Sequence, residues 1–467
     1  MSCISRIFHA CVRNEALECP FGYSGASSFT EQRTIMGNSR IDRISKGKGL
    51  ILPNGVPNEQ RRATSLSVRS AIFSAILIVF LCGPLLLFGS ERLGVHLPSW
   101  LTSADASYLA GGSSEVDLLG QCNLESILSG NLRDAAEAEV GNYIPTKATA
   151  LVANAGVQRF AIGASNAAFG WPCYPSSFGS TDLFVPGQEA IVKWPREGNP
   201  SEIDGLTRFA ESVEAIAEKH SEIPFTSFVV ARSEASSANP ARALVGKDFT
   251  ATDAAALMEG VATHMAVVTN DPASLDEYYR LYFKSDHHWR AEGAVDAYNQ
   301  LAGALQKTEI PEDVKRVDGP LYSGSYARNS LCLIEDVPTQ LSCDFSSVKL
   351  GNGKELQSGT DHIRFRDASN STKHYYFYDL FYEPFTFAQG TGEGRLLLVS
   401  DSFGFSLIRP LATGFSELSC SRTLQADAST EENLEAMIDE IDPDMVLFVA
   451  DPGNYATFCD RNPQFFN

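Results

Sequence analysis

Between Ala71 and Phe88 the chain reads AIFSAILIVFLCGPLLLF, eighteen residues without a charge. As a helix this run is about 27 Å long at about 1.5 Å per residue, just enough to cross the hydrocarbon core of a bilayer. Arg61, Arg62 and Arg69 precede it, whereas Glu91 and Arg92 cancel after it and acidic sequence follows. The positive-inside rule then leaves the N-terminus in the cytoplasm and everything beyond about residue 90 outside. The rival is a cleaved signal peptide, but a lead of about seventy residues is far longer than an n-region, and no small-x-small cleavage site directly follows the run. A start at Met36 would shorten the tail and leave the topology unchanged. The expected organisation is a disordered cytoplasmic tail over 1–68, a transmembrane helix over 69–90, a Ser/Ala/Gly-rich linker over 91–116 and an extracytoplasmic domain over 117–467.

Charge divides at the same place. Of 37 Lys/Arg and 57 Asp/Glu, residues 1–70 hold ten and five, so the tail is basic and the remainder carries 27 against 52. An acidic body repels phosphate backbones, and no nucleic-acid partner is expected. With 44% hydrophobic and 20% charged residues the bulk of the chain has the composition of a globular protein.

Six cysteines, Cys122, Cys173, Cys332, Cys343, Cys420 and Cys459, follow the apolar run. An even number in an oxidising compartment permits three disulfides, and Cys332 with Cys343, which close a short loop, is the expected pair among many possible connectivities. None has C-x-x-C spacing, so no zinc site is expected.

The body alternates helix and strand signals. Leu206, Phe209, Val213 and Ile216 recur at helical spacing and PFTSFVVARS follows from Pro224 as an apolar strand. Ala294, Ala297, Tyr298, Leu301 and Leu305 mark one face of a helix directly after Asp286-His287-His288-Trp289. RLLLV from Arg395 and MVLFVA from Met445 are continuous apolar runs of strands buried on both faces, with a helix at Leu434, Met437, Ile438 and Ile441 between them. Such alternation predicts an α/β fold with a mostly parallel sheet wrapped by helices, and ligands at the carboxyl ends of its strands. Residues 311–392 interrupt the pattern and read as an aromatic-rich insertion of loops and short strands beside the site; its rings either stack on sugars or simply pack.

Ser402 stands where an apolar strand turns into a helix, a placement that offers a hydroxyl and turn amides to a crevice. The bland alternative is that Ser400 or Ser402 caps the helix. Asp286 and His288, two apart, project to one side of an extended segment, so that one carboxylate orients one imidazole; the alternative is Asp286 as a helix cap beside an incidental histidine. Together Asp286, His288 and Ser402 supply the carboxylate, base and nucleophile of a triad. The adjacent histidines also suggest metal binding of the DHH-phosphoesterase kind, but the further Asp and His motifs of those enzymes are absent, and neither metal nor cofactor is expected.

YYRLYFKSDHHWRAEGAVDAY from Tyr278, followed about a hundred residues later by LLLVSDSFGFSLIRPLATGF from Leu396, resembles the bacterial DHHW protein family. That family is similar to the SGNH-hydrolase-like alginate O-acetylation proteins, in which an Asp-x-His-Trp motif precedes the serine block. The likeness extends over roughly 124–454 and includes an Ala161-Ile162-Gly163 turn and the segment Leu321-Tyr322-Ser323-Gly324-Ser325. It implies an SGNH-hydrolase-like three-layer sandwich with Ser402 as nucleophile, His288 as base and Asp286 as its orienting carboxylate. Trp289 becomes a neighbour of the site, and Asn454 or Tyr455 a substrate-binding residue near the last strand. Arg422 is a weaker match to an Asp-x-Arg of the family, because the strand here reads SELSCSRTL, and Ser400-Asp401-Ser402-Phe403 replaces the commoner Gly-Asp-Ser-Phe. The implied activity is O-acetylation of a cell-surface or exported polysaccharide, with a membrane-bound O-acyltransferase as partner and acyl donor. A glycan O-acetylesterase with the same triad and a non-catalytic polysaccharide-binding scaffold remain as alternatives.

Overall fold

The computed structural model describes residues 131–142, 147–245, 253–317, 321–351, 356–358, 386–424 and 432–466, with 109, 122, 126 and 129 singly. The expected tail, the apolar run Ala71–Phe88 and most of the aromatic segment from His374 to Phe387 lie outside the described residues. Among those described, no helix is long and apolar enough to cross a membrane. Residues 122, 126 and 129 and helix α1 (Asn131–Asn142) belong to one compact unit; everything else described belongs to a second.

The second unit begins with α2 (Lys147–Asn166) and a small antiparallel sheet of β1 (Tyr174–Pro175), β2 (Asp182–Val185) and β3 (Ala190–Lys193). The expected turn at Ala161-Ile162-Gly163 is instead helical, inside α2, where the alanine-rich sequence carries its glycines through. There follow α3 (Pro200–Lys219), β4 (Phe225–Val229), α4 (Ala254–Glu259), β5 (Met265–Thr269), α5 (Leu275–Leu281) and α6 (Ala291–Ala304). The 311–392 region contributes β6 (Val314–Arg316), α7 (Ser325–Asn329), β7 (Thr339–Leu341), β8 (Lys349–Gly351), β9 (Leu356–Ser358) and β10 (Phe387–Gln389). The chain closes with β11 (Arg395–Ser400), α8 (Ser402–Gly414), β12 (Glu417–Ser421), α9 (Leu434–Ile441), β13 (Met445–Ala450) and α10 (Pro452–Arg461).

Eight strands form one sheet in the order β5-β4-β13-β11-β12-β10-β8-β9. The first five run parallel, with Leu398 level with Leu447 and Cys420, and Phe448 level with Ser227. The short strands β10, β8 and β9 extend it antiparallel, so the insertion builds a sheet edge as well as loops. This is the α/β architecture with a mostly parallel sheet that the alternation predicted.

Strand alternation divides the core. Leu396, Leu398, Leu447 and Val449 pack with Ala294, Ala297, Tyr298 and Leu301 of α6 and Leu407, Ile408 and Leu411 of α8. Their neighbours Leu397, Val399, Val446 and Phe448 pack on the other side with Leu206, Phe209, Val213 and Ile216 of α3 and with Leu434 and Ile438 of α9. With side chains pointing alternately to the two faces, the central strands must be apolar throughout, and helices cover both faces. The start of α3 is fixed by Asn199, whose side chain accepts from the Glu202 amide at 2.9 Å, and by Pro200 at the first helical position.

The expected disulfide is corrected here. No disulfide joins any of the six described cysteines. Cys332 is buried with Ile191, Tyr326 and Ala327, whereas Cys343 packs against the main core, so separate apolar clusters hold the two thiols that the short loop suggested as a pair. Leu109, within the expected linker, is buried against Val152, Leu331 and Leu333.

Candidate active site

The carboxyl end of β11 delivers Ser402. Its strand is buried on both faces, and the chain turns through Asp401 directly into α8. Asp401, not either serine, is the N-cap: its carboxylate accepts from the Phe403 amide at 2.9 Å. Because the cap is filled by Asp401, the Ser402 hydroxyl stands outside the capping bond. Gly404 makes the turn possible, since a Cβ there would run into the Ser400 side chain.

Asp286 and His288 come from a loop between α5 and α6, pinched shut by a bridge between Tyr282 and Trp289. The expected extended segment is a bend: Asp286 Oδ1 accepts from the His288 backbone amide at 3.1 Å and lies 2.8 Å from His288 Nδ1. A local side-chain turn of this kind is what Asp does readily, and it aligns carboxylate and imidazole as well as a strand would. His288 Nε2 lies 2.9 Å from Ser402 Oγ, across 114 positions of sequence. The three side chains that the sequence proposed are therefore brought together in one hydrogen-bonded line.

The loop around Tyr322 supports the carboxylate. Asp286 is 2% exposed, and its Oδ2 accepts from the Tyr322 hydroxyl at 2.6 Å and the Ser325 amide at 2.6 Å. Gly324 between them touches Asp286 so closely that a Cβ would overlap the carboxyl group. Asp336 fixes the neighbouring turn, accepting from the Ser285 amide at 2.8 Å and the Lys284 amide at 3.1 Å. Burial by itself would raise the Asp286 carboxyl, but the facing imidazoles of His287 and His288 outweigh it and hold it well below the ordinary carboxylate range. His287 lies tilted against His288 with centroids 3.8 Å apart and reaches Ser325 Oγ at 2.9 Å. Burial, reinforced by the charge of His288 and opposed by Asp286, pushes its imidazole down to about 4, which leaves it neutral at pH 7. Tyr322, Ser325 and His287 carried no assigned role in the sequence; the LYSGS segment was the one signal for the first two.

The remaining site residues are placed differently. Trp289 is 2% exposed and packs edge-on against Phe403 at 5.0 Å and Phe228 at 5.9 Å, out of reach of a substrate. Tyr455 is fully buried and donates to the Phe228 carbonyl at 3.0 Å. Asn454 gives its amide hydrogens to Asp401 at 2.9 Å and Asp451 at 2.8 Å, and so braces the cap of α8. The Arg422 guanidinium lies over the Phe405 ring at 5.0 Å. Of these residues the core holds Trp289 and Tyr455, and the helix cap holds Asn454.

Asp286, His287 and His288 also offer ligand atoms within 4.8 Å of one another, close enough to hold a metal ion. An ion there would displace the hydrogen bonds between Asp286 and the imidazoles. As arranged, the three-residue line does what acyl transfer requires: Asp286 fixes the Nδ1–H tautomer of His288, leaving Nε2 to take the Ser402 proton.

No family model and no curated protein sequence matches the chain. Solved structures similar to it include Bacillus cereus PatB1 with a sulfonyl adduct, 16% identical over 60% of this chain and 99% of that one, TM-score 0.45. They also include a DHHW family protein from Eubacterium siraeum DSM 15702, 16% identical over 60% of this chain and 95% of that one, TM-score 0.43. The O-acetyltransferase domain of Pseudomonas putida AlgJ is 11% identical over 59% of this chain and 90% of that one, TM-score 0.31. At such TM-scores the likeness says nothing of this chain's chemistry.

Proposed function

We propose that the protein is a serine acyltransferase that O-acetylates a polysaccharide through an acyl-serine intermediate. The observation that carries this is the continuous line from Asp286 Oδ1 to His288 Nδ1 at 2.8 Å and from His288 Nε2 to Ser402 Oγ at 2.9 Å. In the first half-reaction Ser402 Oγ attacks the acyl carbonyl while His288 Nε2 takes its proton, and Asp286 stabilises the imidazolium. Phe403 and Gly404 of the first turn give their amides to Asp401, which leaves the Ser402 N–H at the helix N-terminus as the oxyanion donor. One such donor is worth about a hundred- to a thousandfold in rate. The tetrahedral intermediate collapses, and His288 returns the proton to the leaving group. In the second half-reaction His288 takes the proton of a glycan hydroxyl, which attacks the acyl carbon, and returns it to Ser402 Oγ as the acyl–serine bond breaks.

The choice of acetyl and of polysaccharide rests on the resemblance of the two motif segments to the DHHW family. The placement outside the membrane, with one anchoring helix over 69–90, rests on the uncharged run and its flanking arginines. A site outside the cytoplasm needs a donor delivered across the bilayer, which fits a membrane-bound O-acyltransferase as partner. Purified protein incubated with p-nitrophenyl acetate, with and without oligosaccharide, tests the reading. Acceleration by the sugar with acetyl appearing on it is the expected result; release of acetate alone, unaffected by sugar, makes the protein an esterase and refutes the transfer step.

A further inference from the structure

Beside the triad, two buried carboxylates cap two helices. Asp401 caps α8 and Asp451, at the end of β13, caps α10. The Asp451 amide donates to Asp401 Oδ2 at 3.0 Å, and the Asn454 side-chain amide donates to both carboxylates, at 2.9 and 2.8 Å. Every bond of the Asp401 carboxylate is one that it accepts: Phe403 on one oxygen, Asp451 and Asn454 on the other. A proton on either oxygen would face a donor, and the cap that sets Ser402 would have to rearrange.

Two carboxylates this close and this buried oppose each other's ionisation. The cation that answers them comes from the loop after β4: one Arg232 guanidinium nitrogen lies 3.2 Å from Asp451 Oδ2 and another 3.0 Å from Glu234 Oε1. Glu234 in turn accepts from the Tyr326 hydroxyl at 3.3 Å, and the Tyr326 ring lies 5.8 Å from His287. Arg196 and Glu202, paired at 3.2 Å, face Asp451 from the start of α3, and the phenol of Tyr455 faces Asp401 from α10. The cavity lined by Arg196, Glu202, Arg232, Glu234 and Asp451 has room for about 10 Å³, about one water, so no substrate enters it.

We propose that Arg232 is a positioning residue for Ser402: by neutralising Asp451 it keeps Asp401 ionised, and ionised Asp401 holds the first turn of α8 with its serine aimed at His288. The proposal rests on Ser402 being the nucleophile. Burial, and then the charge of Asp451, push the Asp401 carboxyl up to about 6 even with Arg232 in place, so the cap stands close to taking a proton. Loss of Arg232 removes the cation 3.2 Å from Asp451 and raises that threshold further.

The test uses Arg232→Met, Arg232→Lys and the double variant Arg232→Met/Asp451→Asn in the full chain. The first readout is the rate at which a fluorophosphonate labels Ser402, followed from about pH 5 to pH 9, where one unit of displacement is about tenfold in rate on the acid limb. The expected result is a deficit of Arg232→Met that is about tenfold larger at pH 5 than at pH 9, a smaller one for Arg232→Lys, and wild-type pH dependence in the double variant. A deficit equal at every pH, or one that Asp451→Asn does not relieve, overturns the proposal. The second readout is melting temperature: without Arg232 the ionised pair is uncompensated, so the loss of stability is greater at pH 8 than at pH 5 and is reversed by Asp451→Asn. If wild-type protein is never labelled at Ser402 while this melting pattern holds, the nucleophile reading has failed and the positioning role falls with it. If labelling is normal and the melting pattern is absent, the Arg232 proposal alone has failed.

Discussion

Asp286→Asn separates the role of the carboxylate from that of mere bulk. In wild-type protein Oδ1 faces the His288 amide at 3.1 Å and His288 Nδ1 at 2.8 Å, and Oδ2 takes Tyr322 and Ser325 at 2.6 Å each. A carboxamide has one accepting end, so it must choose. With its NH₂ toward Ser325, two donors meet at 2.6 Å, and an unsatisfied buried donor costs about 1–3 kcal/mol. With its NH₂ toward His288, the imidazole must accept at Nδ1 and carry its proton on Nε2, where it can no longer take one from Ser402. The wrong tautomer costs a serine–histidine–aspartate triad about 10⁴ in rate, or about 5.5 kcal/mol. The expected loss in p-nitrophenyl acetate turnover is therefore about a thousand- to ten-thousandfold with the fold retained. Because the folded-state carboxyl lies below its ordinary value of about 4, its stabilisation is present above that pH and lost as pH falls through the depressed value. The stability gap between wild type and Asp286→Asn should accordingly shrink on acidification below about pH 4. A variant with turnover within about tenfold of wild type would refute the assignment of Asp286 as the orienting carboxylate.

Three further outcomes are expected. Tyr322→Phe removes a hydrogen bond to a buried carboxylate, worth about 1.5–3 kcal/mol, and should slow turnover by about tenfold or more without changing the far-ultraviolet circular dichroism spectrum. Gly324→Ala places a methyl group against the Asp286 carboxyl, so the 321–325 loop must move and turnover should fall well below that of a Gly303→Ala control, where a Cβ meets nothing. Burial pushes the Cys173 and Cys420 thiols up to about 12, so native protein at pH 7 should resist iodoacetamide at both positions, and dithiothreitol should leave the melting temperature unchanged.

What the sequence made legible follows from period and burial. β13 and the four central positions of β11, Leu396 to Val399, are apolar throughout because helices cover both faces, and that uninterrupted pattern is unmistakable in LLLV and MVLFVA. The faces of α3, α6 and α9 repeat at helical spacing for the same reason. β5 escaped notice because MAVVT, at the sheet edge and only partly covered, carries a short and weak pattern. The three small strands β1 to β3 are two to four residues long, too short for any period to register. At the site, residue types proposed the triad, but its supports come from elsewhere in the chain. Tyr322 and Arg232 matter through contacts spanning 36 and 219 positions, which no local spacing encodes. Asn454 and Tyr455 show the converse: a motif position suggested substrate, whereas the fold uses one side chain to brace a helix cap and the other to fill the core.

The acyl-serine intermediate can be sought directly. Protein reacting with p-nitrophenyl acetate is quenched in acid within the first turnovers, digested and mapped by mass spectrometry. The account predicts a single acetyl group on Ser402 in the peptide that begins at Leu396, present in wild type and missing from His288→Ala. Sustained turnover with no acetyl at Ser402, or with acetyl on another residue, would contradict it.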